Sequence, residues 1–172
     1  FVIMQNAITK NINYCQHLLK HNKLVAIPTE TVYGLAANAF NEKAVKQIFE
    51  LKGRPLFNPL ILHIHDIVQL QQLAIAIPDK AMQLAKAFWT GALTLILPKS
   101  DSVPNIITGG KQTVGVRMPN HPVTLELLQG LDFPLAAPSA NPFTRVSPTS
   151  AKHVAYYFGD LIPAILDGGP CK

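Results

Sequence analysis

Cysteine is almost missing from this chain of 172 residues. Cys15 and Cys171 stand alone and far apart, which excludes a disulfide framework and a cysteine-built zinc site. Charge is sparse as well: 15% of the residues are charged, with 10 Asp and Glu against 15 Lys and Arg. At 48% hydrophobic content, such a chain folds compactly and is not disordered. No apolar run reaches the roughly 18–20 residues of a membrane-crossing helix, so no membrane partner is expected. The opening Phe1-Val-Ile-Met4 is too short, and lacks the basic flank, to be a signal peptide. Phe1 is no initiator, so upstream residues are expected to be missing or Met4 to be the natural start. With so few thiols, a reducing cytoplasm is the expected location. The basic residues form no run, and the net charge of +5 points to an anionic partner, nucleotide phosphates or RNA.

What is present is an alternation of helical and extended patterns. Ile8, Ile12, Cys15, Leu18 and Leu19 recur at helical spacing and predict a first amphipathic helix. Leu24–Ile27 predicts a buried strand halted by Pro28. Asn41 caps a helix turning Ala44, Val45, Ile48, Phe49 and Leu51 inward, and Lys52-Gly53-Arg54-Pro55 ends it. Leu60–Ile64 reads as a strand, Asp66 as the cap of a helix to about Ala74, and Pro78 as the start of another to Phe88 or Trp89. Strands follow over Leu93–Leu97, Val114–Met118, Leu135–Ala137 and Ala164–Leu166, with helices over Val123–Leu128 and from Ser150 to Phe158. Pro98–Thr113 and Pro142–Thr149 read as surface loops. The pattern predicts one α/β (α+β) domain over residues 1–172, a sheet with helices against it. The closing Asp167-Gly-Gly-Pro-Cys-Lys172 falls where another element would ordinarily begin, so a longer protein truncated at its C-terminus is expected.

Several polar clusters interrupt this apolar chain. Thr29-Glu30-Thr31-Val32-Tyr33-Gly34 follows a strand; its hydroxyls suit a polar ligand, or equally a turn held by local Ser/Thr bonding. Lys52 and Arg54 flank Gly53 at a helix end, as a phosphate site needs, or as charges complementing the helix dipole. Asn58 adds an amide nearby. His63 and His65 share one face of a strand; with no third ligand at a recognisable spacing apart from Asp66, a hydrogen-bonded or core His is favoured over a metal. Arg117 lies in an apolar strand and needs an anion, either a protein carboxylate or a ligand carboxylate. Gly109-Gly-Lys111-Gln-Thr113 fails as a Walker loop, because Asn105 and Gln112 occupy required Gly and hydroxyl positions. Ser139 in Pro138-Ser-Ala-Asn141 lacks the GxSxG elbow of a serine hydrolase; it suits ligand binding or turn chemistry.

Taken in order, PTETVYGLAANA (28–39), KGRP (52–55), NPLILHI (58–64), VGVRMP (114–119), PSAN (138–141), SPT (147–149) and DGGPC (167–171) closely resemble the YrdC-like domain of threonylcarbamoyl-AMP synthases, in its longer two-domain form. The resemblance implies a twisted mixed β-sheet flanked by helices, with a large basic cavity. It implies that L-threonine, bicarbonate and ATP yield L-threonylcarbamoyl-AMP, pyrophosphate and water. The product would feed the N6-threonylcarbamoyl modification of adenosine 37 in tRNA through a downstream transferase complex. By motif position Thr31, His63, Arg117 and Ala137 would hold threonine, and Lys52, Arg54, Asn58, Thr113, Ser139, Asn141 and Ser147 would hold ATP. Lys52 and Arg54 would be catalytic, Mg2+ would accompany ATP, and no residue is assigned to a metal. Fixed cations would offset the repulsion among threonine carboxylate, carbamate and triphosphate. Two other classes compete: a module binding tRNA or double-stranded RNA in ribosome maturation, and a carbamoyltransferase subdomain using carbamoyl phosphate.

Overall fold

Asn11 accepts the N–H of Tyr14 at 2.9 Å and opens helix α1 (Ile12–Lys20), which buries Cys15 and Leu19. In this computed structural model residues 7–172 are described, and the reading of Phe1–Met4 lies outside them. Strand β1 (Ile8–Thr9) precedes α1, so Ile8 belongs to a strand and not to the first helix. Next come β2 (Val25–Ile27), β3 (Gly34–Asn38) and α2 (Glu42–Lys52), capped by Asn41 and ended by Gly53 at φ 63°. A capping box at Asp66 and Gln69 follows β4 (Ile61–His63) and leads through a short 3-10 turn into α3 (Leu70–Leu73). The remaining elements are α4 (Asp79–Phe88), β5 (Thr94–Pro98), α5 (Asn105–Thr108), β6 (Thr113–Arg117), α6 (Pro122–Gln129), β7 (Leu135–Ala136), α7 (Ala151–Phe158) and β8 (Ala164–Leu166).

The strands form one eight-stranded sheet in the order β1-β8-β2-β3-β7-β4-β6-β5. Pairs β1/β8, β2/β8 and β4/β6 are parallel and the other four antiparallel, so the sheet is mixed. Besides Ile8, two further readings change. The sequence shows no strand at β3, because Gly-Leu-Ala-Ala-Asn has little intrinsic strand preference; its pairing with β2 and β7 makes it one. The segment Pro98–Thr113 is not simply a surface loop, since it carries α5 and buries Val103, Ile107 and Thr108. Four helical residues are too few for periodicity to reveal. The Leu60 N–H donates to the Ile107 carbonyl at 2.7 Å, and a Cβ at Gly109 would lie 2.4 Å from the Phe57 carbonyl oxygen. Glycine is therefore required there twice over, by that contact and by φ 60°.

The two sheet faces are covered unequally, and this makes the site. On one face Ala26, Leu35, Ala37, Leu62, Val114, Val116 and Ala136 join a core closed by residues of α2, α3, α4, α5 and α7. On the other face Val25, Ile27, Ala36, Leu135 and Ala164 pack against α1 and α6. That second cover stops at β7. Beyond it the same face continues through Ile61 and His63 of β4, Gly115 and Arg117 of β6, and Ile96 of β5, by the strand registers. Ile61 and Ile96 are exposed there. The uncovered half of this face is the floor of the candidate site.

Candidate functional site

His63 and Arg117 end parallel strands β4 and β6 as register partners and so project side by side. Over them lies a cavity of about 250 Å3, walled by the loop of Thr29, Val32 and Gly34, by Arg54 and Pro59, and by Ala137, Pro138 and Ser139. Ligand pockets typically run from roughly 300 to 1,000 Å3. The enclosed volume thus suits an amino acid, and anything larger must extend along the open face. The expected large basic cavity is a small one with two lining cations, Arg54 and Arg117.

Backbone contacts bring the motif blocks here. The Thr29 hydroxyl accepts the N–H groups of Thr31 and Val32, each at 3.2 Å, and donates to the Val32 carbonyl, shaping the loop after β2. Gly34 bridges to Ser139, and a Cβ on it would press within 3.2 Å of the Ala137 Cβ. Buried Tyr33 donates from its hydroxyl to the Gly169 carbonyl at 2.7 Å and accepts the Gly168 N–H at 3.2 Å. Its own N–H reaches Pro148, while the Cys171 N–H reaches Thr149. In this way the SPT and DGGPC blocks are pinned against the PTETVYG loop.

Arg117 is satisfied by the protein itself. Its Nη2 donates to a carboxylate oxygen of Glu30 and, at 3.3 Å, to the Thr31 hydroxyl, and its Nε donates to the Gly91 carbonyl at 3.3 Å. The other Glu30 oxygen accepts the Asn120 N–H at 2.8 Å. Burial alone would raise the Glu30 carboxyl; its own and the Asn120 N–H groups, with the Arg117 charge, outweigh that and hold it below the ordinary value. Glu30 was not among the candidates, although it sits inside the PTET block of a chain poor in acids. His63 is buried, and desolvation, helped by the Arg117 charge, brings its pKa down to about 4. It is a neutral imidazole whose Nδ1 has no hydrogen-bond partner among the described residues.

Other candidates are placed differently. Lys52 does not line the cavity: its buried ammonium donates to the carbonyls of Ser139 and Asn141, and its own carbonyl accepts the Phe143 N–H. Burial, with the Arg54 charge adding, lowers its pKa to about 8. Arg54 donates from Nη2 to the Pro59 carbonyl at 3.1 Å and lies 5.9 Å from the Phe143 ring centroid. Asn141 turns inward, its amide donating to the carbonyls of Pro142 and Arg145 at 2.9 Å. Ser147 borders a separate hollow of about 240 Å3 with His153 and Tyr156. Asn58 is half-buried on the loop outside the cavity wall. Thr113 is exposed on the Arg117 face, about 13 Å along β6. Of the candidates, then, Arg54, His63, Arg117, Ala137 and Ser139 line one cavity, with Thr31 bonded to it through Arg117. A wider groove of about 810 Å3, near Lys20 and Asp132, contains none of them.

The Sua5/YciO/YrdC family model, described as "Telomere recombination", matches residues 17–172. The chain belongs to this family. Among its curated relatives, threonylcarbamoyl-AMP synthase of Pyrococcus abyssi is 58% identical over 154 residues, 90% of this chain and 45% of that protein. The same-named protein of Bacillus subtilis is 55% identical over 89% of this chain and 44% of its own length. The crystal structure of P. abyssi Sua5 complexed with L-threonine superposes with a TM-score of 0.91 at 56% identity, covering 92% of this chain and 47% of that one. The chain thus spans less than half the length of these Sua5/YciO/YrdC relatives. Its mixed sheet with helices on both faces is the family fold, and among the described residues no helix is long and apolar enough to cross a membrane.

Proposed function

We propose that this domain forms L-threonylcarbamoyl-AMP, pyrophosphate and water from L-threonine, bicarbonate and ATP, as a nucleotidyltransferase acting in the cytoplasm. The observation that carries the reading is the convergence of Arg54, His63, Arg117 and Ser139 on one cavity of amino-acid size beside an open sheet face. The names of its relatives and the threonine bound to P. abyssi Sua5 support it. Threonine occupies the enclosed cavity, its carboxylate toward Arg117 and Thr31, with neutral His63 and the Ala137 backbone against the rest. The threonine amine and bicarbonate condense to a carbamate with loss of water. A carbamate oxygen then attacks the α-phosphorus of ATP and pyrophosphate leaves.

The nucleotide lies along the uncovered face, with Arg54, Asn58, Ser139 and Thr113 beside it. Lys52 and Asn141 act by holding the Ser139 loop, and Ser147 reaches ATP only at the far end of that loop. The carbamate is already anionic, so catalysis is positioning and charge neutralisation, not general-base chemistry. No group of three or more His, Cys, Asp or Glu that could hold a metal occurs among the described residues. A magnesium ion therefore fits as one carried on the triphosphate, where it would neutralise the leaving pyrophosphate. The product is consumed by a downstream tRNA-modifying transferase complex, with tRNA its final acceptor.

Bicarbonate-dependent pyrophosphate release from ATP is expected with L-threonine and is weaker with L-serine; release indifferent to the amino acid would overturn the reading. Arg117→Ala is expected to weaken L-threonine binding by roughly 10- to 100-fold, the worth of a charge-assisted carboxylate contact. ATP affinity, measured in the same titrations, should change far less.

A further inference from the structure

We propose that Glu30 is a built-in competitor for the substrate carboxylate, holding the Arg117 guanidinium until an α-amino acid takes its place. The inference rests on the reading that the cavity takes L-threonine. A guanidinium offers five N–H donors and grips a carboxylate bidentately through two parallel N–H groups, either Nη1 with Nη2 or Nε with Nη2. Both pairs include Nη2. In this structure Nη2 serves Glu30 and Thr31, while Nε serves the Gly91 carbonyl. With one Nη2 N–H given to Glu30 and the other to Thr31, a substrate carboxylate cannot take a two-point hold until one of these partners gives way.

Glu30 is a positioned group. Its second oxygen accepts the Asn120 N–H at 2.8 Å, so both carboxylate oxygens are used. Its side chain nevertheless keeps 23% of its surface exposed against 13% for Arg117, which leaves it the freer partner and gives it a route toward solvent. The exchange replaces one carboxylate by another on the same cation and leaves the charge of the pair unchanged beside neutral His63. A ligand without a carboxylate cannot make this trade. Glu30 therefore lowers the affinity of every amino acid admitted and leaves that of a carboxylate-free ligand unchanged.

The test is calorimetric titration of the wild-type chain, Glu30→Gln and Glu30→Asp with L-threonine and with L-threoninol, which lacks the carboxylate. The Gln variant removes the competing charge, and the Asp variant keeps the charge but shortens its reach. Both are expected to bind L-threonine roughly two- to fivefold more tightly, the range a partly exposed ion pair commands, with L-threoninol unchanged. Equal or weaker L-threonine binding by both variants, with wild-type binding intact, would make Glu30 a positioning residue and overturn the proposal alone. An equal gain for L-threoninol would overturn it too, as would loss of folding in both variants by circular dichroism. If no protein binds L-threonine, the functional reading falls and takes this inference with it.

Discussion

His63 lies inside the sheet between Leu62 and Ile64, with the Arg117 cation as its register neighbour on β6. Both surroundings oppose a second positive charge, and the ring stays neutral down to about pH 4. The unfolded chain protonates the same ring near pH 6.5, so between these values it binds more protons than the folded one. Stability must then fall as pH drops through that window, by up to about 3 kcal/mol from this residue. Urea midpoints at pH 6.5 and pH 5 should show the loss, and His63→Gln should flatten it. A wild-type slope equal to that of the variant would contradict the assignment. At the same scale, Arg117 meets the demand for an anion with the protein's own Glu30, the bland alternative left open by its sequence context. A ligand role for Arg117 thus becomes a question of exchange.

Lys52 joins two elements beside the site. As the last residue of α2 it ties the helix end to the Ser139–Phe143 loop through two side-chain bonds and one backbone bond. Its replacement by Met leaves the buried Asn141 carbonyl without its ammonium donor and the Ser139 carbonyl with only the Asn141 N–H at 3.0 Å. We expect Lys52→Met to cost about 3 kcal/mol, since charge-assisted bonds contribute roughly 1.5–3 kcal/mol each. Thermal or urea melts measure the loss, and a cost below about 1 kcal/mol would show that the loop is held by other contacts. The helix-end pattern Lys-Gly-Arg was legible as a bend with two cations. That one cation faces the loop and the other the cavity was not, because the partner carbonyls lie 87 and 89 residues downstream.

The whole molecule is one sheet with a core on each face, and adjacent residues of β2 serve different cores: Ala26 one, Val25 and Ile27 the other. Neither core can be lost while the shared strands persist. A single cooperative transition is expected, with near- and far-ultraviolet circular dichroism giving one midpoint on heating. Two separated midpoints would mean that the α1 and α6 layer melts independently. The same arrangement explains why part of one sheet face is left open. The helices α1 and α6 are too few to cover eight strands, and the half they leave bare carries the polar strand-end residues.

Most elements were readable because their causes are local: Asn41, Asp66 and Ser150 cap helices, Gly53 ends one, and apolar spacing marks the strands. The ordered motif blocks carried the family. Strands β1 and β3 and helix α5 escaped: β1 because two residues show no alternation, β3 because alanines become a strand only through their neighbours, and α5 because a single turn has no period. Tertiary structure alone decided which charges face a ligand, turning Lys52 and Asn141 inward and placing Glu30 on Arg117. Local pattern reports the burial a residue needs; it says nothing about which of many distant groups will satisfy a charge, and that choice is made only when the chain packs.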